Sequence, residues 1–277
     1  MRSSRPTASG ATGAYTVKAL VKALRILECL AEDEPTTFTL TELSRRLHLH
    51  VSTVHRLIVN LLRQGFVELD PATGGYQLGF RVLRMGLRVL DRQDYRRVAH
   101  PLLRELNLQT QETVHLAILQ GDRAVSIEKF DSPQPVGLDA RLGGQMPLYC
   151  TGVGKTLLAF QTDEVLGEIL RSLPLDRHTV HTITVLPQLR KELAKIREQG
   201  YAFDQEEAVV GLRCVAAPVL DHLGTVVAAF SVAGPSTRMT AERMQELAGL
   251  VRETSREISF RLGYTPAPRS TEPSLGG

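Results

Sequence analysis

The sequence has few cysteines and no long apolar run. Its three cysteines, Cys29, Cys150 and Cys214, lie far apart without a Cys-x-x-Cys pair, which argues against a disulfide framework or a structural zinc site and suits a reducing cytoplasm. No stretch approaches the roughly 18 consecutive apolar residues of a membrane-spanning helix. The basic segment 1–14 lacks the apolar core of a signal peptide, so we expect a disordered arm there. The polar, proline-rich segment 265–277 is expected to be disordered as well.

Length and charge distribution indicate two domains with different partners. A chain of 277 residues is long enough for two domains, and 43% hydrophobic with 23% charged residues is typical of globular proteins. Residues 1–90 contain 12 Lys and Arg against 7 Asp and Glu, whereas the remaining residues contain 21 against 23. This basic excess is modest, but it favours a polyanion as the partner of the N-terminal part.

Helical periodicity predicts three helices in the first 65 residues. Apolar residues recur from Val17 at positions 17, 20, 21, 24, 27 and 30, which predicts a helix that buries this face. Thr39 and Glu42 have the spacing of a capping box at the start of the second helix, and Gly65 is expected to end the third. Only about four residues separate the second and third helices, which is typical of a helix-turn-helix motif whose later helix enters the DNA major groove.

The outward face of the third helix carries side chains of the kinds that contact DNA bases and phosphates. They are Ser52, Thr53, His55, Arg56, Asn60 and Arg63. Residues 66–79 then alternate around a turn with proline and glycine, which predicts a hairpin and therefore a winged helix. Arg2 and Arg5 could add phosphate contacts. Two alternatives remain open: a merely solvated helix face, and an N-terminal domain that binds protein instead of DNA.

The segments ALRILECL, LTELSRRL and STVHRLIVNLLRQGFVELDPATGGYQLG resemble the DNA-binding domain of the IclR family of bacterial transcription regulators. The resemblance implies a winged helix-turn-helix domain at 15–79, a linker helix at 80–92 and an effector-binding domain at 93–264. In this family the connecting helices also support dimerisation, so the resemblance implies a homo-oligomer, either a dimer or a tetramer.

The C-terminal part mixes strand and helix patterns without regular βαβ alternation. TVHLAILQGDRAVSIEKF predicts two strands around a Gly-Asp turn, and the whole pattern predicts an α+β domain with an antiparallel sheet. ETVHLAIL, SPQPVGLDARLGGQMPLYCTGVGKTLLAF, GYAFDQEEAVVGLRCVAAPV and SVAGPSTRMTAERM resemble the IclR effector-binding domain in order and spacing. The resemblance thus covers about residues 15–263 and implies a GAF-like domain.

The sequence GVGKT at 152–156 is similar to the end of a P-loop but lacks the first glycine of that motif. Tyr149 occupies the required position, so we do not expect nucleotide binding. We expect instead a helix start at which the backbone amides of Gly152, Val153 and Gly154 bind a small carboxylate. The alternative is that the glycines only permit close packing of this helix on the sheet.

The family resemblance implies further effector-binding residues beside Gly152 and Val153. Polar positions are implied at Asp204, Cys214 and Ser231, and apolar walls at Leu138, Met146 and Leu212. Because an ionised Asp204 would repel a carboxylate, we expect it to accept a hydrogen bond from an effector hydroxyl or to orient the donors. Family members often have Ser and His where this chain has Ala233 and Ala208, so the resemblance does not transfer the identity of the effector.

We therefore expect a sequence-specific DNA-binding transcriptional regulator whose operator binding is modulated by a small organic acid. Its expected partners are double-stranded DNA, the effector and further copies of itself, with no membrane, cofactor, metal or catalytic residue. The alternative is a soluble enzyme or redox switch that uses the 152–156 turn or Cys150, with His115 nearby. A helix start can lower a thiol pKa, although a small buried cysteine is the commoner case.

Overall fold

The structure is a computed structural model that describes residues 17–31, 37–90, 94–134 and 141–265. The predicted arm, nearly all of the predicted tail, and the residues Arg2, Arg5 and Leu138 lie outside these ranges. The chain divides into two compact units, residues 1–92 and 93–277. Within the described ranges no helix is both long and apolar enough to cross a membrane.

The first unit contains the predicted winged helix-turn-helix. Its elements are α1 (Lys18–Leu30), α2 (Leu40–Leu47), α3 (Val51–Arg63), β1 (Val67–Leu69), β2 (Tyr76–Leu78) and α4 (Phe80–Leu90). Strands β1 and β2 pair antiparallel with Val67 opposite Leu78, which confirms the hairpin. Its core is formed by side chains from all three leading helices and the strands, among them Ile26, Phe38, Leu43, Val54 and Ile58.

Local signals set the ends of the helix-turn-helix elements. The capping box is confirmed, because the Thr39 side chain accepts from the Glu42 amide while the Glu42 carboxylate accepts from the Thr39 amide at 2.8 Å. His48 ends α2 in the left-handed conformation, with φ 52°, and this residue turns the chain into α3. Gly65, with φ +69°, follows the end of α3 and takes a conformation that side-chain-bearing residues rarely adopt.

The predicted buried face of α1 is wrong over its N-terminal half. Val17, Leu20, Val21 and Leu24 are between 44 and 63% exposed, and the buried residues of α1 all lie in its last five positions. Only this end of α1 reaches the core that α2 and α3 form, so the earlier turns have no described apolar neighbour to cover them. The periodic pattern predicted the helix correctly, but it gave no information about what packs against its apolar face.

The second unit is an α+β domain with the predicted antiparallel sheet. Its elements are α5 (Asp94–Thr110), β3 (Thr113–Gln120), β4 (Arg123–Phe130), β5 (Gln145–Pro147), α6 (Gly152–Ala159), α7 (Asp163–Ser172), α8 (Leu186–Gln199), β6 (Ala202–Gln205), β7 (Leu212–Leu220), β8 (Val226–Pro235) and α9 (Ala241–Arg261). The strand order is β5-β4-β3-β8-β7-β6, and every pairing is antiparallel. Strands β7 and β8 are buried at nearly every position, because helices pack on the middle of the sheet.

Candidate functional site

A cavity of about 250 Å³ lies between the start of α6 and the sheet of the second unit. Typical pockets for drug-sized ligands are ~300–1,000 Å³, so this cavity suits a compact molecule. Seven of the eight residues predicted for effector binding line it: Met146, Gly152, Val153, Asp204, Leu212, Cys214 and Ser231. The eighth, Leu138, lies outside the described residues.

The amides at the start of α6 are only partly available to a ligand. Thr151 caps the helix, and its Oγ1 atom accepts from the Gly154 amide at 3.1 Å. Among the described residues no partner reaches the Val153 amide. The expectation of three free amides is therefore wrong for Gly154, because the Thr151 side chain accepts from it.

Close packing accounts for both glycines of the turn. A Cβ atom on Gly152 would overlap the sulfur of Cys214 on β7, and one on Gly154 would lie 2.6 Å from the Leu148 carbonyl oxygen. Real Cβ atoms do not approach this closely, so α6 can reach the sheet and the preceding turn only with glycine at both positions. The packing interpretation thus holds, and it brings the helix start to the cavity wall.

The lysine of the P-loop-like sequence is engaged elsewhere. Lys155 is fully buried, its Nζ atom pairs with the carboxylate of Glu207, and Glu192 lies 3.6 Å away. Burial raises the pKa of Glu207, while the charge of Lys155 opposes that shift. A lysine held in this way neutralises a buried carboxylate and does not line the cavity, so it has no role as a phosphate ligand there.

Asp204 contributes the carboxylate of the described cavity lining. Its side chain is 4% exposed, and Oδ1 accepts from the Glu207 amide at 2.8 Å. Burial raises the pKa of Asp204 to about 7; the amide of Glu207 lowers it and the charge of Glu207 raises it further. Near neutral pH the group is therefore protonated much of the time, and in that form it donates a hydrogen bond instead of repelling an anion.

His115 also lines the cavity, and sequence reasoning did not assign it to the pocket. It lies opposite Ser231 across β3 and β8, with 3.2 Å between Nδ1 and the Ser231 Oγ atom. Burial, and secondarily the charge of Lys129, lowers the pKa of His115 to about 4, so the ring is neutral at pH 7. Its Nε2 atom is buried without a partner among the described residues. The available signal was one polar ring inside the apolar strand TVHLAIL.

The sheet register arranges the polar groups of the cavity floor in two adjacent rows. One row pairs His115 with Ser231, and the next runs from Ala233 through Cys214 to Asp204. Directly paired residues, and residues two apart along one strand, share a face of the sheet. The histidine and the serine therefore mark the β3–β8 side of the floor, and the aspartate marks the β6 edge.

A loop formed by residues 206–211 supplies another wall of the cavity, through Ala208 and Val209. Glu206 has φ +67° and fixes the loop, because its carboxylate accepts from the Gly211 amide at 2.8 Å and pairs with Arg213 at 2.8 Å. His178, from the segment before α8, closes the cavity beside this loop. The predicted departures Ala208 and Ala233 thus both face the cavity and present only methyl groups to it.

Neither thiol near the cavity is activated. Cys150 is fully buried, and burial raises its pKa to about 12. Burial likewise raises the pKa of the Cys214 thiol. A reactive cysteine requires its thiolate form, and the histidine proposed as a base contacts Ser231 instead of Cys150. The geometry thus offers the cysteine alternative no support.

The second candidate site is the outer face of α3. Ser52, His55, Arg56, Asn60 and Arg63 are exposed, whereas Thr53 is half-buried. The Asn60 side chain donates to the Arg56 carbonyl oxygen at 2.7 Å, so it is engaged with its own helix. No acidic residue occurs in α3, which leaves this face neutral or basic and suited to phosphates.

Comparison with known proteins gives matches along nearly the whole chain. Residues 19–71 match the IclR helix-turn-helix domain, and residues 87–260 match the domain described as bacterial transcriptional regulator IclR C-terminal. The HTH-type transcriptional regulator KdgR of Escherichia coli (strain K12) is 36% identical over 253 residues, which cover 91% of this chain and 95% of KdgR. The HTH-type transcriptional repressor AllR of Salmonella typhi is 38% identical over 265 residues, covering 96% and 97%.

Solved structures agree with the fold. The Thermotoga maritima IclR structure matches with a TM-score of 0.74 and 35% identity, covering 90% of this chain and all of that one. An IclR homolog from Microbacterium hydrocarbonoxydans, crystallised with 4-hydroxybenzoate, matches with a TM-score of 0.78 and 27% identity, covering 88% and 98%.

Proposed function

The chain belongs to the IclR family of DNA-binding transcriptional regulators, and from this premise we propose how its two candidate sites act. Like its relatives, which are named transcriptional regulators and repressors, the protein is a regulator and not an enzyme. The exposed face of α3 reads operator DNA, and the cavity beside α6 binds a small organic acid that alters operator affinity. The observation that carries the second assignment is a cavity that combines a helix start with Asp204, Ser231 and His115.

The lining of the cavity favours a compact organic acid. No Lys or Arg side chain belongs to the described lining, so a carboxylate there depends on uncharged donors: the Val153 amide and protonated Asp204. The partial positive charge at the start of α6 favours an anion at this position. The relative crystallised with 4-hydroxybenzoate, a carboxylate that bears a hydroxyl group, supports the same class of ligand.

Exposed apolar faces of the first unit support self-association. The N-terminal half of α1 exposes four aliphatic side chains, and α4 exposes Phe80, Leu83, Met85 and Leu87. Apolar surface on this scale favours burial against a partner, and helix-turn-helix regulators typically bind two half-sites as a symmetric pair. We therefore assign a homodimer, or a tetramer built from dimers, acting on cytoplasmic DNA.

We expect effector binding to change operator binding through a difference in effector affinity between two conformations. An effector changes operator binding only if it binds one conformation of the dimer more tightly than the other. The loop at 206–211 lines the cavity through Ala208 and Val209, so we place the conformational difference there.

The effector assignment predicts a measurable stabilisation by small acids. We expect at least one of acetate, glycolate, propionate, lactate, pyruvate, benzoate and 4-hydroxybenzoate to raise the melting temperature of the full chain, since a native-state ligand at 100 times its Kd adds about 2.7 kcal/mol. The same acid should change the gel-shift affinity of the protein for operator DNA selected from a random pool. No stabilisation by any of the seven would reject this ligand class.

The DNA assignment predicts that Arg56→Ala weakens operator binding. Loss of one arginine contact to a base or phosphate typically costs about 1–3 kcal/mol, so we expect roughly a tenfold or greater rise in Kd and a smaller salt slope. Arg256→Ala, at an exposed arginine on α9, removes the same charge from the second unit and serves as the control. If Arg56→Ala and Arg256→Ala bind the operator equally well, the recognition-helix assignment fails.

A further inference from the structure

We propose that His115 is a specificity-determining residue of the cavity, and that its Nε2 atom hydrogen-bonds a second oxygen of the effector, a hydroxyl or keto group remote from the carboxylate. The inference rests on the proposed function, because it assumes that the cavity takes an organic acid. It adds the chemical feature by which acids of similar size are distinguished.

The first observation is a buried polar atom without a hydrogen-bond partner on a residue that lines the cavity. His115 is 3% exposed and lines the cavity, and its Nε2 atom has no partner among the described residues. Buried side-chain nitrogens in native proteins nearly always have a hydrogen-bond partner, and each exception calls for an explanation. A ligand oxygen in the cavity supplies the missing partner.

The second observation is the separation of this atom from the helix start. The start of α6 packs over β7 and β6, since a Cβ atom on Gly152 would meet Cys214, Ala216 and Asp204. His115 lies on β3, which is two strands from β7 in the order β3-β8-β7-β6. Neighbouring strands are about 4.8 Å apart, so about 10 Å separates the backbones of β3 and β7. A ligand whose carboxylate meets α6 therefore needs a second polar group to reach the histidine side.

The ionisation state of His115 defines what it can bind. Burial lowers its pKa to about 4, so the neutral ring has one donor and one acceptor nitrogen. Ser231 occupies Nδ1, which leaves Nε2 to donate or to accept according to the tautomer. A hydroxyl group satisfies either tautomer, and a keto oxygen accepts from the Nε2–H form. A neutral nitrogen is a poor anchor for the carboxylate itself, which favours the α6 end for that group.

Five residues of the cavity lining are apolar and cannot hydrogen-bond the ligand oxygen in place of His115. Ala233 and Ala208 present methyl groups to the cavity, and Met146, Val209 and Leu212 are apolar. A parent acid without the second oxygen would fill the same space but leave Nε2 unpaired. Sites built to hydrogen-bond a ligand hydroxyl reject the analogue that lacks it for this reason.

Matched acid pairs test the proposal by calorimetry on the full chain at pH 7.5. The pairs are 5-hydroxypentanoate and pentanoate, 5-oxohexanoate and hexanoate, and 4-hydroxybenzoate and benzoate, in each of which the second oxygen is remote from the carboxylate. We expect at least one oxygenated acid to bind about tenfold or more tightly than its parent, a difference of about 1.4 kcal/mol. His115→Leu should abolish this preference while leaving the parent's Kd within about twofold, because it removes the unpaired nitrogen along with the hydrogen bond.

Two further variants separate hydrogen bonding from general damage. His115→Gln keeps a polar side chain at the position and should retain part of the preference. His222→Ala removes an exposed histidine from a surface turn and should keep all of it. If no acid binds the wild-type chain, both the proposed function and this inference fall. If an acid binds but its preference persists in His115→Leu, only this inference falls.

A measurement on the unmodified chain covers the case in which His115→Leu does not fold. In protein labelled with ¹⁵N-histidine, saturation with the tightest-binding acid of the three pairs should shift the Nε2 resonance of His115. An Nε2 resonance that does not move at saturation would overturn the assignment.

Discussion

At the scale of single residues, Asp204 is a group whose ionisation depends strongly on its surroundings. Its sequence context suggested a carboxylate that would repel an acidic effector, yet burial raises its pKa to about 7. Under the proposed function, the protonated side chain would donate a hydrogen bond to the effector, and the ionised side chain would oppose binding. The stability of the fold and the occupancy of the cavity should then both depend on pH.

We expect Asp204→Asn to gain stability relative to wild type as pH rises from 4 to 8. The folded pKa of Asp204 lies above its ordinary value of 3.8, so the native state holds a proton that the unfolded chain releases. Its contribution is complete below pH 4 and is lost as pH rises through about 7. A pKa that is one pH unit higher in the folded state corresponds to about 1.4 kcal/mol, so the relative gain should exceed about 1 kcal/mol.

Urea unfolding of both proteins at pH 4.5 and pH 8 measures this gain. The substituted side chain keeps an amide oxygen that can still accept from the Glu207 backbone, so the comparison isolates the titration. A stability difference that is equal at the two pH values would contradict the raised pKa of Asp204.

Some residues of the cavity could be predicted from the sequence, and others could not. The implied positions of Asp204, Cys214 and Ser231 do converge on one cavity. His115 was missed because its role depends on a pairing with Ser231, 116 residues away, and a polar residue in a strand gives no sign of its partner. The number of free amides at the start of α6 was overestimated, because the Thr151 side chain accepts from the Gly154 amide, and this contact depends on the rotamer of Thr151.

At the scale of elements, α6 shows how packing constrains a site. The helix is buried along its whole length, so its start is held rigidly between the sheet and the turn that precedes it. Leucine at position 152 would overlap Cys214, and such a variant would report damage to the fold as much as loss of a ligand. Informative variants of the cavity must therefore leave Gly152 and Gly154 intact.

We expect Gly154→Ala to destabilise the protein, because its Cβ atom would lie 2.6 Å from the backbone of Leu148 and overpacking of this kind costs about 1–3 kcal/mol or more. Gly167→Ala is the matched control, since a Cβ atom on this α7 glycine meets nothing within 4 Å. That substitution should stabilise the chain by about 0.5–1 kcal/mol through helix propensity. Thermal melts compare the two, and a neutral Gly154→Ala would mean that α6 can move away from the turn.

Features that depend on residues adjacent in sequence could be predicted, whereas features that depend on distant residues could not. The capping box at Thr39 and the left-handed Gly200 that ends α8 depend on residues adjacent in sequence. The exposure of Leu20 and Leu24 on α1 could not be predicted, since an apolar stripe is the same whether its partner lies in this chain or in another copy.

At the scale of the whole molecule, the exposed half of α1 supports the proposal that the protein acts as a self-associated pair. A single recognition helix contacts few base pairs, whereas a symmetric pair doubles the length of the site. The apolar side chains at positions 17, 20, 21 and 24 would supply a surface for that pairing. Oligomeric state and operator affinity should therefore change together.

We expect the double change Leu20→Glu and Leu24→Glu to shift the protein toward smaller oligomers and to weaken operator binding. The two leucines are 57% and 49% exposed, so the unit should still fold, and charges buried in an apolar interface are strongly unfavourable. Sedimentation velocity and gel shifts measure the two effects. Leu223→Glu, at a leucine 76% exposed in a turn, is the control, and an unchanged mass for the double variant would exclude α1 from the interface.

The pairing of His115 with Ser231 joins chain segments that are distant in sequence, and the cavity floor exists only after β3 and β8 have come together. A molecule bound across the pairing of β3 and β8, which we call the seam, would hold these two strands together. Its binding energy would oppose every opening of that seam, so the backbone amides of both strands would exchange with solvent more slowly when the site is filled.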